Sequence, residues 1–489
     1  MTHSTNGSKK RFLRRLSVYI IVALVLLIPA ILFYIYWEKL IISRVLKAVK
    51  LIREPESEAM KNWKNPPTII TRAYRLYNYT TDVDEIKQNA WAMLHVQETR
   101  PYVYDIKVKK ENIKWINNDQ NLEYSVQRLF QRHKNFDETL LTEDGTFVNI
   151  LRAIFRAQYG RSQDSGTFET FVGKDVSRDV FYKKLGIEEL EGFTSELFEK
   201  MKDSMMGPNT DKYGFVYRYN GSRAYNFTIR VDNENKGRVL KYASEYVPFK
   251  INPTTYDFPV YDGLTFLPLL QTKKTLNMFQ PDICRPIQIK FNKIVHMYNM
   301  DLHEFVIRFI DLTQCHNNSE SCDELESIDI SKCVSSSMPE DTIYLSKPHF
   351  YGHNSSKFNI HGFAPEKEKH DSMLYFEPYT GTPVKAHHRI QMNVNPYIDT
   401  YKQNRDGEWE RKTKGKSVKR MLPLLWMDQE VTLYTEVLQK LQHIHRMVNI
   451  LKIVRIVAVL LAITILVMVI VLMEVIARKK QNHSRYKPK

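Results

Sequence analysis

The residues of this chain whose types and spacing could do chemistry are four cysteines, a His-His pair and an Asp-x-Asp triplet. Cys284, Cys315, Cys322 and Cys333 are its whole cysteine complement. No C-x2-C spacing occurs among them, which argues against a structural zinc site. They are even in number and lie in a segment expected on the oxidising side of a membrane, so two disulfides are expected. Four cysteines allow three pairings. His387 and His388 are metal-binding in type, but neighbours on a strand face opposite sides, so two satisfied surface histidines are expected rather than a metal pair. Asp82-Val83-Asp84 matches a sugar-nucleotide metal motif and reads more simply as acids in a loop. There is no P-loop, G-x-S-x-G, H-E-x-x-H or EF-hand pattern. No catalytic, cofactor-binding or metal-binding residue is therefore assigned, and the chain is not expected to be an enzyme.

The elements that must position these residues hang between two apolar stretches. Leu16 to Trp37 contains no charged residue and exits through Phe33, Tyr34, Tyr36 and Trp37. At about 1.5 Å per residue it spans the roughly 30 Å hydrocarbon layer. It is longer than the apolar core of a cleavable signal peptide, and aromatic residues stand where a cleavage site would be. The second stretch, Ile456 to Met473, extends through Val475, Ile476 and Ala477, with Lys452, Arg455 and Glu474 at its edges. Lys9, Lys10, Arg11, Arg14 and Arg15 precede the first stretch. Arg478, Lys479, Lys480, Arg485, Lys487 and Lys489 follow the second, and neither tail holds an acid. These eleven cations supply most of the net charge of +16. Basic tails stay cytoplasmic, so both ends are expected inside and everything between them outside. Nucleic-acid binding loses its support, because it needs a basic stripe on one domain.

The resulting plan is a cytoplasmic tail at 1–15, a transmembrane helix at 16–37, an ectodomain at 38–455, a second transmembrane helix at 456–476 and a tail at 477–489. Glycosylation is expected at the sequons Asn78, Asn220, Asn226, Asn317 and Asn354, all in the ectodomain. Asn252 is disqualified by Pro253, and Asn6 and Asn482 fall in the tails. Helical spacing continues past the first anchor through Ile42, Val45, Leu46, Val49 and Ile52. It leads into the second through Leu433, Val437, Leu441, Ile444, Val448 and Leu451. The middle reads as strands. Phe215, Tyr217 and Tyr219 alternate with Val216 and Arg218, then comes Asn220-Gly221, then Tyr225, Phe227, Ile229 and Val231, which is a hairpin signal. Ile390, Met392 and Val394 alternate in the same way. The window from about 146 to 206 is helical in spacing, with Phe147, Ile150, Leu151, Ile154 and Phe155, then Leu197, Phe198, Met201 and Met205.

Seven short motifs in order give the chain a resemblance. They are ESEAMKNWKNPP (Glu56 to Pro67), RPYVY (Arg100 to Tyr104), DICR (Asp282 to Arg285), DISKC (Asp329 to Cys333), SKPHF (Ser346 to Phe350), EPYTG (Glu377 to Gly381) and LPLLW (Leu422 to Trp426). Between two anchors, this order resembles the CD36 family, which comprises class B scavenger receptors, lysosomal integral membrane protein 2 and sensory neuron membrane proteins. Arg100 stands where the family has glycine. The resemblance implies a mainly β fold with a helical cap: a large antiparallel β-barrel ectodomain with an apolar tunnel, flanked by two transmembrane helices. It also implies the pairs Cys284–Cys333 and Cys315–Cys322. His349 of SKPHF is itself read as structural.

The function implied is a cell-surface receptor that binds lipids, fatty acids, sterols or lipoprotein-like particles and passes hydrophobic cargo to the membrane. The alternative is a trafficking or adhesion receptor that binds a protein partner through the cap. The window 146–206 carries nine basic and ten acidic residues, so a cationic cap for polyanionic ligands is not expected. The plasma membrane is the expected location, with an endosomal or lysosomal membrane as the alternative. The tail ARKKQNHSRYKPK lacks a dileucine-type sorting signal.

Overall fold

A computed structural model describes residues 4–485, except 160–178, 196–197, 200–211, 222, 233, 244–257, 264, 271–274, 311–323, 335–337 and 412–416. The chain divides into two compact units. One is Val49–Val437, and the other joins Met1–Ala48 to Leu438–Lys489.

The larger unit is mostly β. Its strands are β1 (Thr68–Tyr79), β2 (Leu94–Glu98), β3 (Tyr102–Ile116), β4 (Asn121–Arg132), β5 (Asp144–Val148), β6 (Phe181–Leu185), β7 (Arg223–Arg230) and β8 (Val239–Ala243). They continue with β9 (Val260–Tyr261), β10 (Thr275–Gln280), β11 (Arg285–Met297), β12 (Met300–Arg308), β13 (Ser327–Asp329), β14 (Ile343–Ser346), β15 (Ile360–His361), β16 (Met373–Glu377) and β17 (Thr382–Val394). Two short ribbons pair β18 (Tyr397–Ile398) with β21 (Val418–Lys419) and β19 (Tyr401–Gln403) with β20 (Trp409–Arg411). They precede β22 (Leu422–Leu433). Hydrogen bonding runs β8-β7-β4-β3-β1-β22-β17-β16-β12-β11-β10-β9. An antiparallel bridge from Arg238, beside β8, to Tyr261 in β9 draws the two ends together. The Asp262 amide donates to the Gly237 carbonyl at 2.9 Å beside it. The sheet is thus a nearly closed barrel, which leaves few unpaired edge groups.

Short helices decorate it: α2 (Glu58–Lys64), α3 (Val83–Gln88), α4 (Ile150–Tyr159), α5 (Gly186–Glu191), α6 (Ser331–Val334) and α7 (Lys367–His370). In the smaller unit, α1 (Ser4–Ala48) contains Pro29, and α8 (Thr435–Arg485) is the chain's longest helix. Among the described residues one helix is long and apolar enough to cross a bilayer, over Thr435–Val475. Inside this unit the Arg455 guanidinium lies 4.3 Å from the Tyr34 ring and 4.9 Å from the Trp37 ring, so α1 and α8 run side by side.

Four expectations change. The window 146–206 is not helical throughout: Phe147 lies on β5, which pairs with β6, and the helix begins at Ile150. Leu197, Met201 and Met205 lie outside the described residues. Phe215, Tyr217 and Tyr219 do not form a strand. The Phe215 and Val216 amides donate to the Glu189 and Leu190 carbonyls of α5, so the segment turns into a 3-10 helix at Tyr217–Tyr219. β7 therefore pairs with β4 and β8, and Asn220-Gly221 is a turn rather than a hairpin loop. The helical stripes are also shorter than their spacing suggests. α1 stops at Ala48, leaving Val49 and Ile52 outside it, and Leu433 ends β22.

Candidate functional site

Strand register decides which side chains share a face, because directly opposed residues stand side by side. One row crosses β3, β1, β22 and β17 as Tyr104, Arg72, Gln429 and His388. The next is Tyr102, Tyr74, Met427 and Ile390, followed by Leu76, Leu425 and Met392. On β4, Arg128 and Phe130 oppose Val108 and Ile106 of the same face. The charges of Arg128 and Asp282 reach His388, which is several strands away along the sheet. They can do so only across a concavity, so this face is the barrel interior.

Most of that interior is apolar, and some of its side chains are only partly buried. Ile70 and Val431 oppose one another, and with Val108, Phe291 and Met392 they pack against the core yet keep accessible surface. Polar groups form a belt among them. The Arg72 side chain is 5% exposed. Its Nε donates to Gln429 Oε1 at 3.1 Å, its Nη2 donates to the same oxygen, and its Nη1 donates to Tyr74 Oη at 3.1 Å. Arg128 Nη1 pairs with Asp282 at 3.0 Å and 3.1 Å to the two carboxylate oxygens. Burial, with the Arg72 charge beside it, lowers His388 to about 4, so its imidazole is neutral at physiological pH.

A different polar group packs against the outer face of the same strands. Glu98, His349 and His370 bring their ligating atoms within 4.8 Å of one another. The donor chemistry does not fit a metal. His349 Nδ1 accepts the Ala364 amide at 2.9 Å, and His370 Nδ1 accepts the Glu366 amide at 2.8 Å. Nδ1 of each ring is therefore taken by a backbone donor, which places the ring proton on Nε2, where it blocks ligation. His349 Nε2 donates to Glu98, and Trp426 Nε1 donates to the same carboxylate at 2.5 Å. Burial alone would raise Glu98. The His349 imidazole, the Trp426 indole and Arg75 outweigh it and hold the carboxyl below its usual value. Burial, with His349 alongside, lowers His370 to about 4. His349 is thus tied into the fold, as the sequence suggested.

The other sequence candidates are dispersed. His387 points outward, with Nδ1 3.2 Å from Asp428 Oδ1, but His388 is not the surface histidine expected: it points into the barrel in the row of Gln429 and Arg72. Asp82 caps α3 by accepting the Asp84 amide at 3.0 Å, and Asp84 pairs with Lys87 at 3.4 Å, so these acids are structural. Cys284 and Cys333 are bonded, whereas Cys315, Cys322 and Asn317 lie outside the described residues. Asn220, Asn226 and Asn354 are exposed. Asn78 is half-buried and accepts the Thr146 amide at 2.8 Å. Arg100 takes an ordinary backbone conformation and reaches Asp137 and Glu143 at 2.5 Å and 2.7 Å. Two of the basic residues of the 146–206 window point inward. Arg152 and Arg156 are buried, and Arg156 pairs with Asp399 at 2.9 Å. Sequence reasoning missed Arg72, Arg128 and Glu98, whose partners Gln429, Asp282 and His349 are distant in the chain.

The CD36 family model matches residues 20–473. The chain belongs to the CD36 family. Its relatives include "Protein peste" of Drosophila melanogaster, 22% identical over 414 residues, covering 80% of this chain and 71% of that protein. "Sensory neuron membrane protein 1" of Apis mellifera is 22% identical over 451 residues, covering 83% and 81%. "Lysosome membrane protein 2" of Rattus norvegicus is 20% identical over 409 residues, covering 81% of each. CD36 family members are membrane receptors rather than enzymes, and scavenging and lipid binding are family-level properties. Within the CD36 family frame, the belt at Arg72 is a feature of the barrel interior and the Glu98 group a feature of its outer wall.

Proposed function

We propose that this chain is a two-pass receptor of the plasma membrane that takes lipid cargo into the barrel interior and passes it to the bilayer through an apolar tunnel. The observation that carries the reading is the set of inward-facing apolar residues, Ile70, Val108, Phe291, Met392 and Val431, that pack on the core without closing it. Each methylene that leaves water for such a surface gains about 0.8 kcal/mol, so an acyl chain needs no covalent chemistry to be held. The anchors are α1 and α8. Both expose rows of isoleucine, leucine and valine that would be costly in water, and both end in basic tails. Glycans at the exposed Asn220, Asn226 and Asn354, and a second disulfide between Cys315 and Cys322, belong to the same reading. So does a lysosomal or endosomal variant of it, favoured by the name of the rat relative.

The test is displacement of a fluorescent long-chain lipid from purified full-length protein in detergent. Saturable binding is expected, weakened by Ile70→Trp or Val431→Trp at unchanged melting temperature. No displaceable binding by the wild type, or full binding by both variants, overturns the reading.

A further inference from the structure

Arg72 is a buried cation with a neutral environment. Its hydrogen-bond partners are the Gln429 amide oxygen and the Tyr74 hydroxyl, and its guanidinium lies over the Tyr74 and Phe130 rings at 5.9 Å and 5.5 Å. Among the described residues no carboxylate forms an ion pair with it. Nearby charge does not compensate it either. Asp282 faces Arg128 and is spent on that pair, and His388, two strands away on β17, is a neutral ring. On the next strand Tyr104 shares the row, and its hydroxyl donates to Glu191, whose carboxylate is held by Arg132 at 2.5 Å. The belt therefore carries one positive charge in excess. A buried cation without a counter-ion is expensive, and a fork that uses Nε and Nη2 on Gln429 leaves hydrogens on Nη1 and Nη2 for another acceptor.

We infer that Arg72 seats the acidic headgroup of a lipid inside the barrel, so that the receptor selects anionic over neutral cargo of the same chain length. Gln429 and Tyr74 hold the guanidinium in place and are positioning residues. The apolar residues beside the belt take the chain, and the planar fork takes two oxygens of a carboxylate or phosphate. This inference rests on the tunnel reading above and adds the residue that discriminates among its cargoes.

The experiment compares oleate, oleyl alcohol and oleyl phosphate as competitors for the same fluorescent lipid on the full chain. Oleate is expected to compete at least about tenfold better than the alcohol, the ratio that one charge-assisted contact gives. The phosphate arm reports which acid the site prefers. Arg72→Met, which removes a buried charge at similar volume and should fold, is expected to abolish the ratio while leaving alcohol binding intact. Gln429→Glu supplies an internal carboxylate to Arg72 and should abolish it too, with the arginine still present. Equal competition by acid and alcohol on the wild type, or an undiminished ratio in both variants, overturns the assignment. If none of the three compounds competes, the tunnel reading fails, and this one with it.

Discussion

His349 shows how one side chain can be read correctly in type and incompletely in role. The SKPHF motif marked it as structural, but its partner Glu98 is 251 positions away, a distance that no local pattern spans. His349→Ala would leave a buried carboxylate with one donor fewer, a change worth about 3 kcal/mol of stability. Thermal unfolding measures it. The depressed Glu98 carboxyl contributes stability above the usual carboxylate range, and that share is lost as pH falls through its lowered value. The mutant should thus be less sensitive to acid than the wild type. Because Nδ1 of both imidazoles is occupied by a backbone amide, added zinc should leave the melting temperature of the wild type unchanged. The opposed placement of His387 and His388 was legible, since alternation along a strand is a local rule. Which of the two faces inward was not, because that depends on how the sheet curls.

Elements were legible where one periodicity acts alone. β17 follows Ile390, Met392 and Val394, and α4 follows Ile150, Leu151, Ile154 and Phe155. The alternation at Phe215, Tyr217 and Tyr219 misled because the amides of Phe215 and Val216 are claimed by α5, leaving no ladder to join. Gly214 makes that approach possible: a Cβ there would stand 2.6 Å from the Gly192 nitrogen. Gly214→Ala should cost about 1–3 kcal/mol and loosen α5 first, as amide exchange at Phe215 and Val216 would report. The segment that follows α1 is held in a similar non-local way. Lys236 donates to the Val49 carbonyl at 2.9 Å and Lys110 to the Trp63 carbonyl at 2.5 Å. Burial lowers both lysines to about 8, with Asp262 opposing the shift. Between about pH 8 and 10 the folded chain therefore releases protons that the unfolded chain still holds, and stability should rise there by on the order of 1 kcal/mol per lysine. Above that window the buried Tyr124, raised by burial and by Asp262, reverses the slope, because the unfolded phenol ionises first. Urea unfolding at pH 7, 9 and 11 tests both signs. Lys110→Met with Lys236→Met should flatten the rise.

At the scale of the whole molecule the governing pattern is charge at the ends and grease beside it. Eleven cations sit in two short tails, and between the apolar stretches the balance is much closer to neutral. Basic flanks are retained on the cytoplasmic side during insertion, and one such flank at each end is compatible only with an even number of crossings. The side-by-side packing of α1 and α8 around Arg455 suits a pair of antiparallel crossings. An epitope placed at either terminus should therefore resist protease on intact cells and become sensitive only after permeabilisation. One placed in the exposed turn at Gly407 should be cleaved at once. Removing Lys9, Lys10, Arg11, Arg14 and Arg15 together should weaken the retention of the first end, so that a fraction of chains exposes it. A terminal epitope cleaved on intact wild-type cells would contradict the two-pass arrangement. The barrel would then need another route by which cargo reaches a membrane.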